Sequence, residues 1–172
     1  MTVGSEEIGE RIVELLPRLR RFARTLSRNQ HDADDLVQSA IERAWRHVDQ
    51  FEAGANLASW MFGIMKNAWI DNRRSCARRG EVALPEDSGE HPAMDPTDLN
   101  ANLWSVSEAM DKLPEEQRLA VALVLVEGLS YKEAAQLLDV PMGTLTSRLA
   151  RGRAALATAL GKGTNDVPVT AP

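Results

Sequence analysis

The chain has 172 residues, 44% hydrophobic and 26% charged, enough apolar side chain for one medium domain or two small ones and too much for wholesale disorder. Its single cysteine, Cys76, excludes an internal disulfide and a cysteine-based metal site, and the three histidines (His31, His47, His91) form no HxxxH or HExxH pair, so no metal or cofactor is expected. No apolar run of ~18 residues could cross a bilayer, and MTVGSEEIGE lacks a basic-then-apolar leader; a cytoplasmic protein without membrane insertion is the expectation.

Glu6 to about Ser27 reads as a first helix, with Ile8, Ile12, Leu15, Leu16, Leu19, Phe22, Ala23 and Leu26 in its apolar stripe. Pro17 interrupts it, which predicts a kink or a short lead-in helix. Arg18, Arg20, Arg21, Arg24 and Arg28 give this helix a basic side, either a solvated face or a contact with upstream DNA. A second helix runs from His31 or Asp32 to about Val48. Ala33, Leu36, Val37, Ala40, Ile41, Ala44, Trp45 and Val48 repeat at three-four spacing, and Asp32 or Asp34 can serve the N-terminal dipole. Asp35, Gln38, Ser39, Glu42 and Arg46 lie opposite, as plain surface or as a docking face for another protein.

Turn chemistry in Gly54 and Asn56 precedes a third helix, from about Leu57 to Arg79. Leu57, Trp60, Met61, Ile64 and Ala68 are expected to face inward. Asn67, Asp71, Arg74 and Arg78, at spacings of four, three and four, make a polar and basic row. Trp60 and Trp69 are either core or stacking platforms for unpaired bases; Asn67, an amide beside a basic row, could read a base and its backbone together.

Residues 80–98 carry three prolines and six acids with little periodicity, and read as an extended acidic linker. The expected organisation is therefore all-α: a three-helix domain at 5–79, the linker, a second helical domain at 99–161, and a disordered tail at 162–172. In the second domain, a helix from about Leu99 to Lys112 presents Leu103, Val106, Met110 and Leu113. Pro114, at a first helical position, starts another with Ala120, Val121, Val124 and Leu125 apolar.

From Glu127 to Leu160 the pattern is that of two helices and a tight turn. Gly128 closes the preceding helix, and Ser130 with Glu133 forms a reciprocal capping box. Ala134, Ala135 and Leu138 face a core, the two alanines allowing close approach of the next helix. Asp139-Val140-Pro141 breaks the first helix, and Pro141 can open the second. There Leu145, Leu149, Gly152 and Leu156 form an apolar seam, while Thr144, Ser147, Arg148 and Arg151 fall on another side, flanked by Thr146 and Arg153. Hydroxyls and guanidiniums on an exposed helix face suit base edges and phosphates in a major groove, so this is read as a helix-turn-helix with Met142–Leu160 as its recognition helix. The net charge of −5 is no objection, because charge is local: residues 66–79 hold five basic side chains against Asp71 alone, and 142–153 hold three arginines and no acid.

Together the segments DADDLVQSAIERAW, FEAGANLASWMFGIMKNAWIDNRR and LPEEQR…EGLSYKEAAQLLDVPMGTLTSRLARGRAAL resemble the extracytoplasmic-function group of bacterial RNA polymerase sigma factors. The first two are similar to the group's region two, with its D-x-x-Q helix and its F…G…W-x-F-x-I-x-x-N…D-x-x-R helix; the third is similar to region four. The resemblance covers about 10–79 and 99–160. It implies two small helical domains joined by a flexible linker, and a subunit of transcription initiation rather than an enzyme.

On matching positions, the resemblance implies that the second helix docks on the clamp coiled coil of the polymerase largest subunit through Asp35, Gln38 and Glu42. The second domain would meet the flap of the second-largest subunit. The Phe51–Leu57 loop, with Phe51 and Asn56, would capture a flipped base of the −10 element, with Asn67 lining that site and Arg73, Arg74 and Arg78 on the backbone. Thr144, Thr146, Ser147, Arg148 and Arg151 would enter the major groove at the −35 element. The linker would thread toward the RNA exit path, and an anti-sigma factor is the implied regulator. Ser39 stands where the family usually has Glu or Asp, and Thr146 where it often has Lys or Arg, so a weaker clamp contact and an unusual −35 preference are expected. Other readings fit less well. A decoy that sequesters an anti-sigma factor needs no basic recognition face, and a dimeric helix-turn-helix repressor leaves the first domain unexplained. An enzyme would need a partner for Asp34 and Asp35, which point apart on a helix.

Overall fold

The computed structural model describes residues 5–161 except 28, 53 and 81–105, and the chain divides into two compact units, Met1–His91 and Pro92–Pro172. The expected Pro-rich acidic linker and the tail at 162–172 fall largely or wholly outside the described residues. Every regular element among the described residues is helical.

In the first unit, α1 (Ser5–Leu26), α2 (Gln30–Arg46) and α3 (Leu57–Arg78) each pack against the other two. In α1 and α2 the apolar positions read from the periodicity supply the core, Ile8, Ile12, Leu19, Phe22 and Leu26 with Leu36, Val37 and Ala40. In α3 Leu57, Met61 and Ala68 are buried as expected, but Phe62 and Met65 are buried where Trp60 and Ile64 were expected, those two being half-buried. Phe22 and Phe62 stand at its centre, fully buried with ring centroids 4.9 Å apart and tilted, each ring contributing about 2–3 kcal/mol through burial.

Pro17 does not split α1. The helix is continuous through it, and because Pro17 lies on the exposed side, the carbonyl left without its N–H partner is on the face that water reaches. Helix α2 begins at Gln30, a residue or two before the expected start, with Asn29 as its cap, the side-chain oxygen accepting the Asp32 N–H at 2.8 Å. Asp32 lies in the first turn, where its charge suits the helix dipole as expected. The seam of α2 also ends early. Trp45 is 45% exposed, its indole lying against α1 where only a glycine fits, since a Cβ on Gly9 would come within 3.0 Å of the ring. Val48, placed at the end of α2 by the sequence pattern, instead opens a short 3-10 turn, Val48–Gln50.

In the second unit, residues 106–111 form the described part of α4. Of the side chains expected to face inward there, Met110 and Leu113 are buried, Val106 is 42% exposed, and Leu103 lies outside the described residues. Pro114 sits just before α5 (Glu115–Val121) as its cap. The helix then widens into a single π-type turn, Ala122–Val126, closed by the Glu127 N–H to the Ala122 carbonyl at 3.0 Å and by Gly128 at φ +72°. Ala120 and Val121 are buried as expected, whereas Leu125 is left 44% exposed by the wider turn. The remaining elements are α6 (Tyr131–Leu138) and α7 (Met142–Gly161), with α7 packed on both α5 and α6.

Candidate nucleic-acid interface

The helix-turn-helix forms as its local chemistry dictates. The Ser130 N–H and hydroxyl both donate to Glu133 Oε2, at 2.9 and 2.7 Å, while the Glu133 N–H donates to Ser130 Oγ at 3.2 Å. Those two donors hold the Glu133 carboxyl below its ordinary range. At the other end of α6, Asp139 adopts left-handed backbone, φ 54° and ψ 50°, and the Val140 N–H returns to the Ala135 carbonyl at 3.0 Å. Pro141 follows, its carbonyl accepting the Leu145 N–H, and α7 begins at Met142.

Leu145 and Leu149 are buried, and Gly152 lets α7 press onto α5: a Cβ there would meet Val121 Cγ2 at 2.7 Å. That contact fixes which side of α7 remains open. Thr146, Ser147, Arg151 and Arg153 are exposed and Thr144 is half-buried. Thr146 Oγ1 donates back to the Met142 carbonyl at 2.9 Å, so its hydroxyl hydrogen is already committed. Arg148 differs from the other arginines of this helix. It is only 23% exposed and turns toward α5, with Nη2 2.9 Å from Glu116 Oε2.

In the first unit, the candidate −10 residues separate into three kinds. Asn67, Arg74 and Arg78 lie exposed along α3, with Arg78 Nε donating to the Arg74 carbonyl at 3.3 Å. Arg73 is exposed too, its guanidinium 5.2 Å above the buried Trp69 ring. Asn56 is the cap of α3, its side-chain oxygen accepting the Ser59 N–H at 3.2 Å. Phe51 is not open to a base: it is 5% exposed, with its ring 5.2 Å from the half-buried Trp60. It supports the loop from below, because a phenyl ring at the start of the loop gains more by covering the core than by facing water. Asp71, within the basic row, is tied to Arg43 of α2 at 3.0 Å.

The candidate docking residues share the solvent face of α2. Asp35 lies 3.4 Å from His31, and Gln38 donates to Glu42 at 3.3 Å. Glu42 also reaches Arg46 at 3.7 Å.

Two side chains of structural weight went unassigned in the sequence pattern. Arg118 is 3% exposed and donates to the Asp111 and Leu113 carbonyls, closing the α4–α5 corner. Glu116, its neighbour on α5, holds Arg148. The only advance signal for either was their place in LPEEQR. Among the described residues there is no cluster of three potential metal ligands, and no helix is long and apolar enough to cross a membrane.

Two helical bundles, the second ending in a capped helix-turn-helix with hydroxyls and arginines on its open face, define a helix-turn-helix protein with the face of a nucleic-acid binder. Residues 12–79 match the family model for Sigma-70 region 2, and residues 103–156 that for Sigma-70, region 4. The chain is 36% identical over 158 residues to the ECF RNA polymerase sigma factor EcfG of Rhodopseudomonas palustris, covering 91% of this chain and 86% of that protein. It is 40% identical over 143 residues to the ECF RNA polymerase sigma factor SigM of Mycobacterium tuberculosis, covering 83% and 71%. The chain belongs to the ECF RNA polymerase sigma factors. Its fold is similar to that of the sigma factor RpoE solved with the anti-sigma factor NepR from Bartonella quintana, with a TM-score of 0.79, 32% identity, and 91% and 98% of the two chains covered. The structure of CnrH with the cytosolic domain of CnrY shares the fold, with a TM-score of 0.69 at 23% identity.

Proposed function

We propose that the chain is an alternative sigma factor that acts in the cytoplasm as a binding subunit and carries out no reaction of its own. It joins core RNA polymerase and directs it to promoters by two-point recognition. The observation that carries this reading is the presence of both sigma regions, in order, on one chain, each with an open basic helix face. Asp35, Gln38 and Glu42 on α2 meet the clamp coiled coil of the largest subunit, and the second unit meets the flap of the second-largest. Asn67, Arg73, Arg74 and Arg78 on α3 handle the opened −10 strand, with Asn56 and Phe51 shaping the loop before it. Thr144, Thr146, Ser147, Arg148 and Arg151 read the −35 duplex. An anti-sigma factor, such as the one bound to the Bartonella quintana relative, controls access to these faces.

Binding energy is sufficient for the task. Duplex stacking costs about 1.4 kcal/mol per step, and one captured base with stacked guanidinium or aromatic groups returns about 1–3 kcal/mol per base. Each captured base can therefore offset about one or two steps of melting, and several such contacts act together once polymerase holds both units on the same DNA.

The test is run-off transcription with purified core polymerase across genomic templates, paired with pull-down of core enzyme. Arg151→Ala is expected to lose −35-dependent initiation while retaining core binding. A folded, inhibitor-free chain that fails to associate with core polymerase would overturn the proposal.

A further inference from the structure

An arginine on a recognition helix is ordinarily of use because its five donors are available. Those of Arg148 are not fully so. Its Nη2 rests 2.9 Å from Glu116 Oε2, and the side chain is 23% exposed while Glu116 is 64% exposed. The pair spans α5 and α7 one turn before Gly152 meets Val121. A carboxylate at that distance competes for the same donors that a phosphate or a guanine edge would use, and it cancels the charge that draws the helix to any duplex.

We propose that Glu116 is a specificity-determining residue that withholds Arg148 from arbitrary DNA. A phosphate of the wrong duplex must compete with an existing charge-assisted bond, so less is gained than with a free guanidinium. At the correct −35 element, a base edge with two acceptors in reach, together with the neighbouring contacts of Ser147 and Arg151, outweighs the carboxylate. Discrimination then comes from an acid that penalises the wrong sequence as well as from contacts that favour the right one. The inference rests on the reading of α7 as the −35 recognition helix.

The test uses holoenzyme assembled from the full chain and core polymerase. Two duplexes are compared, one carrying the −35 element of its mapped promoters and one with that element scrambled, each titrated over a range of salt. Glu116→Gln keeps the shape and removes the charge. It is expected to bind the scrambled duplex about threefold or more tightly, with a log–log salt slope steeper by about 0.9, the increment of one further neutralised phosphate. Affinity for the intact element changes less, so the ratio between the two falls. Glu116→Asp, which restores a carboxylate, is expected to recover the wild-type ratio, and Glu116→Gln is expected to have no effect in an Arg148→Ala background.

If Glu116→Gln leaves both ratio and slope unchanged while Arg148→Ala weakens binding to the intact element, this inference falls and the proposed function stands. If Glu116→Gln weakens both duplexes equally and lowers the melting temperature, Glu116 is only a brace between helices and the inference is again wrong. If Arg148→Ala changes neither affinity nor slope, the reading of α7 fails, and the inference with it.

Discussion

At position 152 the chain has room for a hydrogen and nothing larger. A Cβ there would lie 2.7 Å from Val121 Cγ2, a separation that van der Waals repulsion forbids, so Gly152→Ala must push α7 from α5 or force Val121 off its rotamer. Overpacking of this kind costs about 1–3 kcal/mol. The variant is expected to show that loss in denaturant titration, and Val121→Ala on top of it is expected to cost less than Val121→Ala alone, because the cavity and the extra methyl offset each other. Because alanine also gains about 0.5–1 kcal/mol over glycine inside a helix, a Gly152→Ala variant more stable than wild type by that amount would show that the added methyl meets no resistance from Val121. A second residue-scale prediction concerns pH. Glu133 is held below its ordinary value of 4.5 by the donors of Ser130. A carboxyl depressed in the folded state stabilises fully above its unfolded value, and that contribution is lost as pH falls through the folded value. The stability advantage of wild type over Glu133→Gln is therefore expected to be constant near neutrality and to shrink as pH falls below the ordinary carboxyl value of 4.5. Because the carboxylate is solvent-exposed, the effect is small and is best read as the difference between two unfolding curves.

At the scale of elements, the turn between α6 and α7 is the point of tension. Asp139 holds φ 54°, a conformation that costs an L-residue with a Cβ and a glycine nothing. Asp139→Gly is expected to raise stability by up to about 1 kcal/mol and Asp139→Val to lower it by about 1–2 kcal/mol, both measured by chemical denaturation. This turn also marks how far local reading reaches. The capping box of Ser130 and Glu133, the stop at Asp139–Pro141 and the seam of Leu145 and Leu149 were legible because each is written within a few residues of itself. Trp45 was misread as core. Its heptad position was right, but whether a helix face is covered depends on how far α1 extends beside it, which no periodicity in α2 encodes. The burial of Phe51 was not legible either, because loop residues carry no period that distinguishes covered from bare. The pairing of Arg148 with Glu116 was invisible for a related reason: it depends on how α5 and α7 pack, where the sequence shows only two amphipathic stripes. Nor does anything in the local pattern announce the π-type turn at Ala122–Val126. Of the candidate binding residues, those on regular helices (Asp35, Gln38, Glu42, Asn67, Arg74, Ser147, Arg151) could be placed on open faces in advance.

At the scale of the whole molecule, charge is unevenly spread. The net charge is −5, yet residues 66–79 and 142–153 are strongly basic, so most of the compensation sits elsewhere; residues 80–98 alone hold six acids and no lysine or arginine. A sigma factor that carries its own anionic segment is repelled from DNA at long range and attracted at short range, because the repulsion comes from total charge and the attraction from local patches. Free protein is then expected to bind DNA more weakly than its basic patches alone would. Replacing Glu81, Glu86, Asp87, Glu90, Asp95 and Asp98 by their amides removes six negative charges and turns the net charge of −5 into +1. The free variant is expected to bind random-sequence duplex measurably more tightly than wild type at low salt, and the difference is expected to vanish above about 0.5 M salt, where the screening length falls to a few ångströms. The same variant on core polymerase is expected to keep its preference for intact over scrambled −35 elements, since none of the six acids lies on α7. Anisotropy titrations of labelled duplex with the free chain and with holoenzyme read both quantities. A variant that gains no affinity as free protein would mean that the basic faces of α3 and α7 are already shielded within their own units, by pairs such as Arg43 with Asp71 and Arg148 with Glu116, and that the acidic segment has no part in keeping the chain off DNA.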